Sequence, residues 1–171
     1  SQILKKVKKL KLILKSSTSY QTKNVITKFK NYGVENQVEF FDKQSYLKVE
    51  DHLKLYNNID IGLDTFPYNG VTTTFEALWS GVPVLVMKGF NFNSRCGESI
   101  IKNGNLKYFL AENEDDYVIK AVTLAKNINK LKFERNQLFK NILDTPLFDS
   151  ISFSEDLGNK LLKVYKRKFI N

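Results

Sequence analysis

Asp60-Ile-Gly-Leu-Asp-Thr-Phe-Pro-Tyr-Asn-Gly-Val-Thr-Thr-Thr-Phe-Glu-Ala-Leu-Trp-Ser-Gly-Val-Pro-Val-Leu85 carries three signals in one run. A buried strand, read over Ile59 to Phe66, leads into a turn holding Pro67, Asn69 and Gly70. Three threonines then open a helix read over Thr73 to Ser80, closed by Gly81, and Pro83 to Met87 resumes as a strand. Strand, helix and strand at this spacing make a βα unit, and a second strand reached through a helix runs parallel to the first.

The pattern continues outward in both directions. Upstream, Ser1 to Lys11 reads as a helix with Ile3, Leu4, Val7 and Leu10 on one stripe. Leu12 to Leu14 is a short strand stopped by Ser16-Ser17-Thr18-Ser19, and Thr22 to Tyr32 is a helix ending at Gly33. Gln37 to Phe41 is a strand and Lys48 to Asn57 a helix. Downstream, Ser94 to Asn103 is helical and Leu106 to Ala111 a fifth strand. Three helices close the chain at Asp115 to Ile128, Lys130 to Leu143 and Ser154 to Phe169, with Asp144-Thr145-Pro146 between the last two. These three are expected to cover the sheet and the domain edge. With no linker, repeat or low-complexity tract, residues 1–171 read as one α/β domain built on a parallel sheet flanked by helices. A helix at the very start leaves the strand position that normally precedes it unfilled.

Composition narrows the function classes. The 171 residues are 42% hydrophobic and 26% charged, a balance that supports a packed core rather than disorder. No apolar run reaches the about 18 residues that a membrane-spanning helix needs. One cysteine excludes an internal disulfide and suits a cytoplasmic setting, and one cysteine with one histidine excludes the usual structural zinc sites. The net charge of +9 invites a nucleic-acid reading, but the lysines are spread along the chain and interleave with leucines, as on solvated helix faces.

The chemistry concentrates where Thr72 to Thr74 open the helix. The first turn of a helix leaves backbone N–H groups without partners, and its dipole adds partial positive charge. A diphosphate satisfies both, threonine hydroxyls add donors without charge, and Gly70 lets a ligand approach the backbone. In open α/β sheets ligands settle outside the carboxyl ends of strands, where this turn lies. A competing reading needs no ligand. Thr73 and Glu76 stand three apart, as in a capping box, and a Glu76 folded back onto the helix start is less free to reach a ligand.

The wider pattern Asp-Thr-x-Pro-Tyr-Asn-Gly-x-Thr-Thr-Thr-x-Glu-Ala-Leu-Trp-x-Gly-Val-Pro-Val resembles the C-terminal, nucleotide-sugar-binding domain of the SPINDLY-like O-linked N-acetylglucosamine transferases. Val49-Glu50-Asp51-His52-Leu53, Ser94-Arg95, Tyr117 and Thr145-Pro146-Leu147-Phe148-Asp149 extend the resemblance over essentially the whole chain. It implies the C-terminal half of a GT-B glycosyltransferase, Rossmann-like, with extra C-terminal helices. It also implies binding of a UDP-sugar, UDP-N-acetylglucosamine by family, for transfer to hydroxyls of a protein or glycan acceptor. Thr72 and Thr73 would hold the diphosphate, Glu76 the ribose hydroxyls and His52 a place beside the nucleotide, while Asn69, Gly70 and Val71 would shape the loop. No residue is assigned to catalysis.

The family pattern departs at two positions and before Ser1. Val71 replaces a histidine of animal members, and Val49 a lysine that contacts the base, with Lys48 beside it. The family's first strand, its leaving-group lysine, the N-terminal glycosyltransferase domain and the helical repeat domain precede the region matched here, so a separate partner domain is expected. No Asp-x-Asp pair is present, so neither a metal nor another cofactor is expected. Trp79 reads as a core residue on the helix face away from the ligand, Cys96 as a small buried side chain, and Arg95 as either a ligand contact or a structural ion pair. Two alternatives stand beside a transferase: a non-catalytic nucleotide-binding module of the same fold, and, less favoured, a basic nucleic-acid-associated domain.

Overall fold

The computed structural model describes residues 1–15, 18–41 and 48–169. The stop signal at Ser16 and Ser17 lies outside them. Among the described residues the elements are five strands, β1 (Leu12–Leu14), β2 (Val38–Phe40), β3 (Gly62–Leu63), β4 (Val84–Met87) and β5 (Leu110–Ala111), and eight α-helices, α1 (Gln2–Lys6), α2 (Ser19–Lys30), α3 (Val49–Lys54), α4 (Thr72–Trp79), α5 (Phe92–Asn103), α6 (Glu114–Lys126), α7 (Ile128–Leu143) and α8 (Ser150–Phe169), with strands and helices alternating as far as α6. Every described strand pair is parallel, as the alternation of strand and helix requires.

The sheet comes in two pieces. In one, β1 pairs with β2 in the register Leu12↔Val38 to Leu14↔Phe40. In the other, β4 lies between β3 and β5. All four residues of β4 are buried, because helices cover both its faces and successive side chains point to opposite sides. Val84 and Val86 meet Ala77 and Leu78 of α4, Ile100 and Ile101 of α5, and Ile142 of α7. Leu85 faces the other way, onto Ala121 and Leu124 of α6. Helix α1 joins the two pieces: Leu4 packs with Val34 and Val38, and Ile3 with the Leu85 cluster.

Several elements are shorter than their sequence signals. The first helix stops at Lys6 instead of Lys11, because Val7 is extended (φ −133°) and the chain turns to bring Leu10 and Leu12 onto the Leu4 cluster. Five residues are too few to hold a helix without such packing. The strand read over Ile59 to Phe66 contracts to Gly62–Leu63, the two residues that pair with β4, since Ile59 caps the 3₁₀ turn over Leu55–Asn58 and a loop with a cis Phe66–Pro67 bond takes its end. The Leu106 to Ala111 strand likewise loses Lys107–Phe109 to a 3₁₀ turn.

One side chain and one helix depart from their expected places. Trp79 is 51% exposed rather than core, its ring lying edge-on to Phe139 and tilted against Phe148. The closing helices do not all cover the sheet. Helices α6 and α7 do, and Arg135 of α7 donates to the carbonyls of Tyr56 (2.7 Å), Ile59 (3.2 Å) and Ser80 (2.9 Å), fastening the ends of three segments. Gly81 fits beneath it with φ +72°, where a Cβ would lie 2.9 Å from both the Arg135 side chain and its carbonyl oxygen. Helix α8 buries none of its residues.

Candidate functional site

The site is built on the loop 64–70 and the start of α4, directly beyond the carboxyl end of β3. Asp64 organises the loop. Its Oδ1 accepts the N–H groups of Thr65 (2.9 Å) and Gly70 (2.7 Å), closing the chain on itself as an Asx turn does on a smaller scale. Asn69, 2% exposed, donates from Nδ2 to the Thr65 carbonyl (2.9 Å) and accepts the Gly97 N–H on Oδ1 (3.4 Å), which ties the loop to α5. The Tyr117 hydroxyl donates to the Asp64 carbonyl at 2.9 Å and ties it to α6. Thr74 is buried and donates to the Gly70 carbonyl at 3.0 Å.

Two glycines admit this arrangement. A Cβ on Gly70 would collide with the Thr73 hydroxyl, and one on Gly97 would lie 2.7 Å from Asp64 Oδ2. That Oδ2 is buried without a hydrogen-bond partner. Burial raises the Asp64 carboxyl to about 6, against the opposing pull of the Gly70 and Thr65 N–H groups and Asn69. Burial, then the Asp64 charge, raises the Tyr117 phenol, so it stays a donor.

Helix α4 starts one residue earlier than its signal, at Thr72, with Val71 at the N-cap and no side chain capping it. Thr72 and Thr73 are exposed. The expected Thr73–Glu76 capping box is not formed: Val71 takes the N-cap, which places Thr73 inside the helix, and Glu76 is engaged elsewhere. Its Oε2 is 3.0 Å from His52 Nε2 and 3.1 Å from the Tyr56 hydroxyl. The Lys15 ammonium lies 3.4 Å from His52 Nδ1. An ammonium has protons to give and no lone pair, so Nδ1 accepts and Nε2 carries the hydrogen donated to Glu76. Burial, followed by the charge of Glu76, raises the Tyr56 phenol and keeps it protonated. His52, Glu76, Thr72 and Thr73 thus share one surface, with Asn69, Gly70 and Val71 forming the loop behind it.

The remaining candidates separate from this surface. Arg95 Nε pairs with Glu98 Oε2 at 3.0 Å, and Lys102 with Oε1 at 2.5 Å, so Arg95 serves a structural ion pair around a carboxylate that is itself buried. The Lys102 hydrogen bond is the first cause holding Glu98 below the usual carboxylate range. Cys96 is half-buried, with Sγ 3.3 Å from the Phe92 carbonyl. Among the described residues no group of three or more His, Cys, Asp or Glu could hold a metal ion, and no helix is long and apolar enough to cross a membrane.

A short strand, a clamped loop, an uncapped helix start and a carboxylate one turn later, held by a histidine, make a seat suited to a phosphorylated nucleoside. The glycosyl transferase family 41 model matches residues 1–157. The chain belongs to glycosyl transferase family 41. Among its relatives, the probable UDP-N-acetylglucosamine–peptide N-acetylglucosaminyltransferase SPINDLY of Petunia hybrida is 38% identical over 117 residues, which are 68% of this chain and 13% of that protein. The SPINDLY protein of Eustoma exaltatum subsp. russellianum is 42% identical over 63% of this chain and 12% of its own length. A mutant O-GlcNAc transferase of Thermobaculum terrenum shares the fold, with a TM-score of 0.83 at 24% identity over 97% of this chain and 32% of that one. This family 41 chain therefore spans about an eighth of the length of the curated relatives it matches.

Asp64, Tyr56 and Lys15 belong to the site without having been singled out in the sequence. Asp64 had a usable signal, an acidic residue six places before a glycine across a proline turn. Lys15 had none, since its partner lies 37 residues away.

Proposed function

We propose that this chain is the nucleotide-sugar-binding half of a glycosyltransferase that takes a UDP-sugar, UDP-N-acetylglucosamine by the names of its relatives, and passes the sugar to a hydroxyl of a protein or glycan. The observation that carries the reading is the exposed, uncapped start of α4 beside a Glu76 that His52 and Tyr56 hold away from it. The Thr72 and Thr73 hydroxyls and the first-turn amides would grip the diphosphate, with the helix dipole favouring its charge. Glu76, an acceptor fixed one turn along, would bind the ribose hydroxyls, and His52 would border the nucleotide. Asn69, Gly70 and Val71 would shape the loop beside the seat. Fixed donors aimed at the diphosphate stabilise the charge that develops as the sugar departs, and they do so without a metal.

The acceptor and further leaving-group stabilisation would come from a second glycosyltransferase domain facing this surface, with a repeat domain to grip protein acceptors. The two-piece sheet suits a parallel strand supplied between β1 and β3. A reducing, cytoplasmic setting suits the unpaired Cys96. A second reading, a nucleotide-binding module without transfer activity, is favoured by the engagement of Arg95 with Glu98, which removes one candidate cation from the ligand. Calorimetric titration with UDP and a short oligonucleotide, followed by turnover of UDP-N-acetylglucosamine, separates the readings. Saturable UDP binding supports a nucleotide seat, turnover supports the transferase, and salt-sensitive binding of the oligonucleotide alone would refute both.

A further inference from the structure

The seat at α4 draws one side chain from the other piece of the sheet. Lys15 follows Leu14, the last residue of β1, so it stands at the carboxyl end of the β1–β2 pair and reaches toward α3. Its ammonium lies 3.4 Å from His52 Nδ1. On the far side of the ring, Nε2 is 3.0 Å from Glu76 Oε2. Lys15 is exposed, while His52 and Glu76 are largely shielded from solvent.

The chemistry of this line runs one way. An ammonium is only a donor, so Nδ1 accepts, and a neutral ring with an accepting Nδ1 carries its hydrogen on Nε2, toward the carboxylate. In the other tautomer the Nε2 lone pair would face Oε2, and the two groups would repel. Tyr56 does not secure Glu76 by itself. Its hydroxyl lies 3.1 Å from Oε2 and 3.3 Å from the Thr73 carbonyl, with one proton for the two. The His52 N–H is therefore the donor on which the place of Glu76 depends. Both donors meet Oε2, and among the described residues none donates to Oε1, which stays an open acceptor beside the start of α4.

We infer that Lys15 is a positioning residue of the nucleotide seat: it sets the His52 tautomer, which holds Glu76 by Oε2 and leaves Oε1 to choose a ribose over a deoxyribose. This rests on the reading of Glu76 as the ribose acceptor given above. A charged acceptor fixed in place loses a charge-assisted hydrogen bond when the sugar lacks its hydroxyl, whereas a mobile one turns to water and discriminates little.

The test uses the 171-residue chain and its Lys15→Met and Lys15→Arg variants, labelled with nitrogen-15 at histidine. His52 is the single histidine of the sequence, so the ring nitrogen resonances report it alone. At mildly alkaline pH, where imidazole is ordinarily neutral, the parent and Lys15→Arg should carry hydrogen on Nε2 and none on Nδ1, and Lys15→Met should show a mixture of tautomers. Calorimetry on the same samples should find UDP bound at least about tenfold more tightly than 2′-deoxy-UDP by the parent and Lys15→Arg, and at most about threefold more tightly by Lys15→Met. Tm should hardly move, since Lys15 faces solvent. An unchanged tautomer in Lys15→Met overturns the inference. So does an equal loss of both nucleotides with the ratio kept, which would make Lys15 a direct phosphate contact. A fall in Tm with tautomer and ratio unchanged would mark a purely structural lysine and overturn it too. If the tautomer shifts as expected and the folded parent binds no UDP, the positioning of Glu76 stands and the nucleotide reading falls.

Discussion

Helices α4 and α5 both begin beside the loop 64–70, and their N-termini are finished in opposite ways. At α5, Asn91 Oδ1 accepts the Ser94 N–H at 2.9 Å while Ser94 Oγ accepts the N–H groups of Asn91 and Phe90, a complete capping box made by the chain itself. At α4 the sequence spacing of Thr73 and Glu76 suggests such a box, but Val71, which has no side-chain acceptor, takes the N-cap and no box is made. Glu76 turns to His52 and Tyr56, and the first-turn threonines face solvent. One helix start is closed by protein and the other is left for something else. On the proposed reading the difference separates a structural N-terminus from a binding one, and it is open to direct attack.

The largest expected effect falls on the loop that sets the two apart. Asn69→Ala strips partners from the Thr65 carbonyl and the Gly97 N–H at a buried position, so unfolding free energy should drop by about 1–3 kcal/mol in urea titrations, with UDP affinity falling as well. Asn91→Ala should destabilise by about 1 kcal/mol through loss of the α5 cap and leave UDP affinity alone. A change in UDP affinity there would erase the contrast between the two helix starts. The pH response of Asp64 probes the same loop. Its folded-state carboxyl is raised from 3.8 to about 6, so the folded protein binds the extra proton. Stability contributed by this group therefore falls as pH rises from about 4 to about 6 and is level above. Asp64→Asn should remove that slope, read as the difference in Tm between variant and parent across this range. An identical slope in both would show that the carboxyl is not perturbed.

Much of this was legible before any coordinates. The alternation of apolar runs with helical spacing placed all five strands, because parallel strands covered on both faces need near-continuous apolar residues, as Val84 to Met87 show. The candidate site was placed by Gly70 and the threonine run, which are local signals. What escaped notice depends on contacts distant in sequence. Trp79 looked like core because tryptophan usually is, yet its ring lies against Phe139 and Phe148 at the protein's edge. Whether the capping box forms was undecidable locally, because it turns on which residue takes the N-cap and on where Tyr56 and His52 come to rest. The exposure of α8 was likewise invisible: an amphipathic sequence announces that a face will be covered, not by what.

The central claim is that the exposed start of α4 seats the diphosphate of a nucleotide sugar. Its most direct test is calorimetric titration of UDP into the chain and into the double variant Thr72→Ala, Thr73→Ala, with Tm measured alongside. The expected result is binding to the parent, a loss of at least about tenfold in the variant, equivalent to about 1.4 kcal/mol, and an unchanged Tm because both threonines face solvent. Equal UDP affinity in parent and variant, or no binding to either at a Tm showing a folded chain, would contradict it.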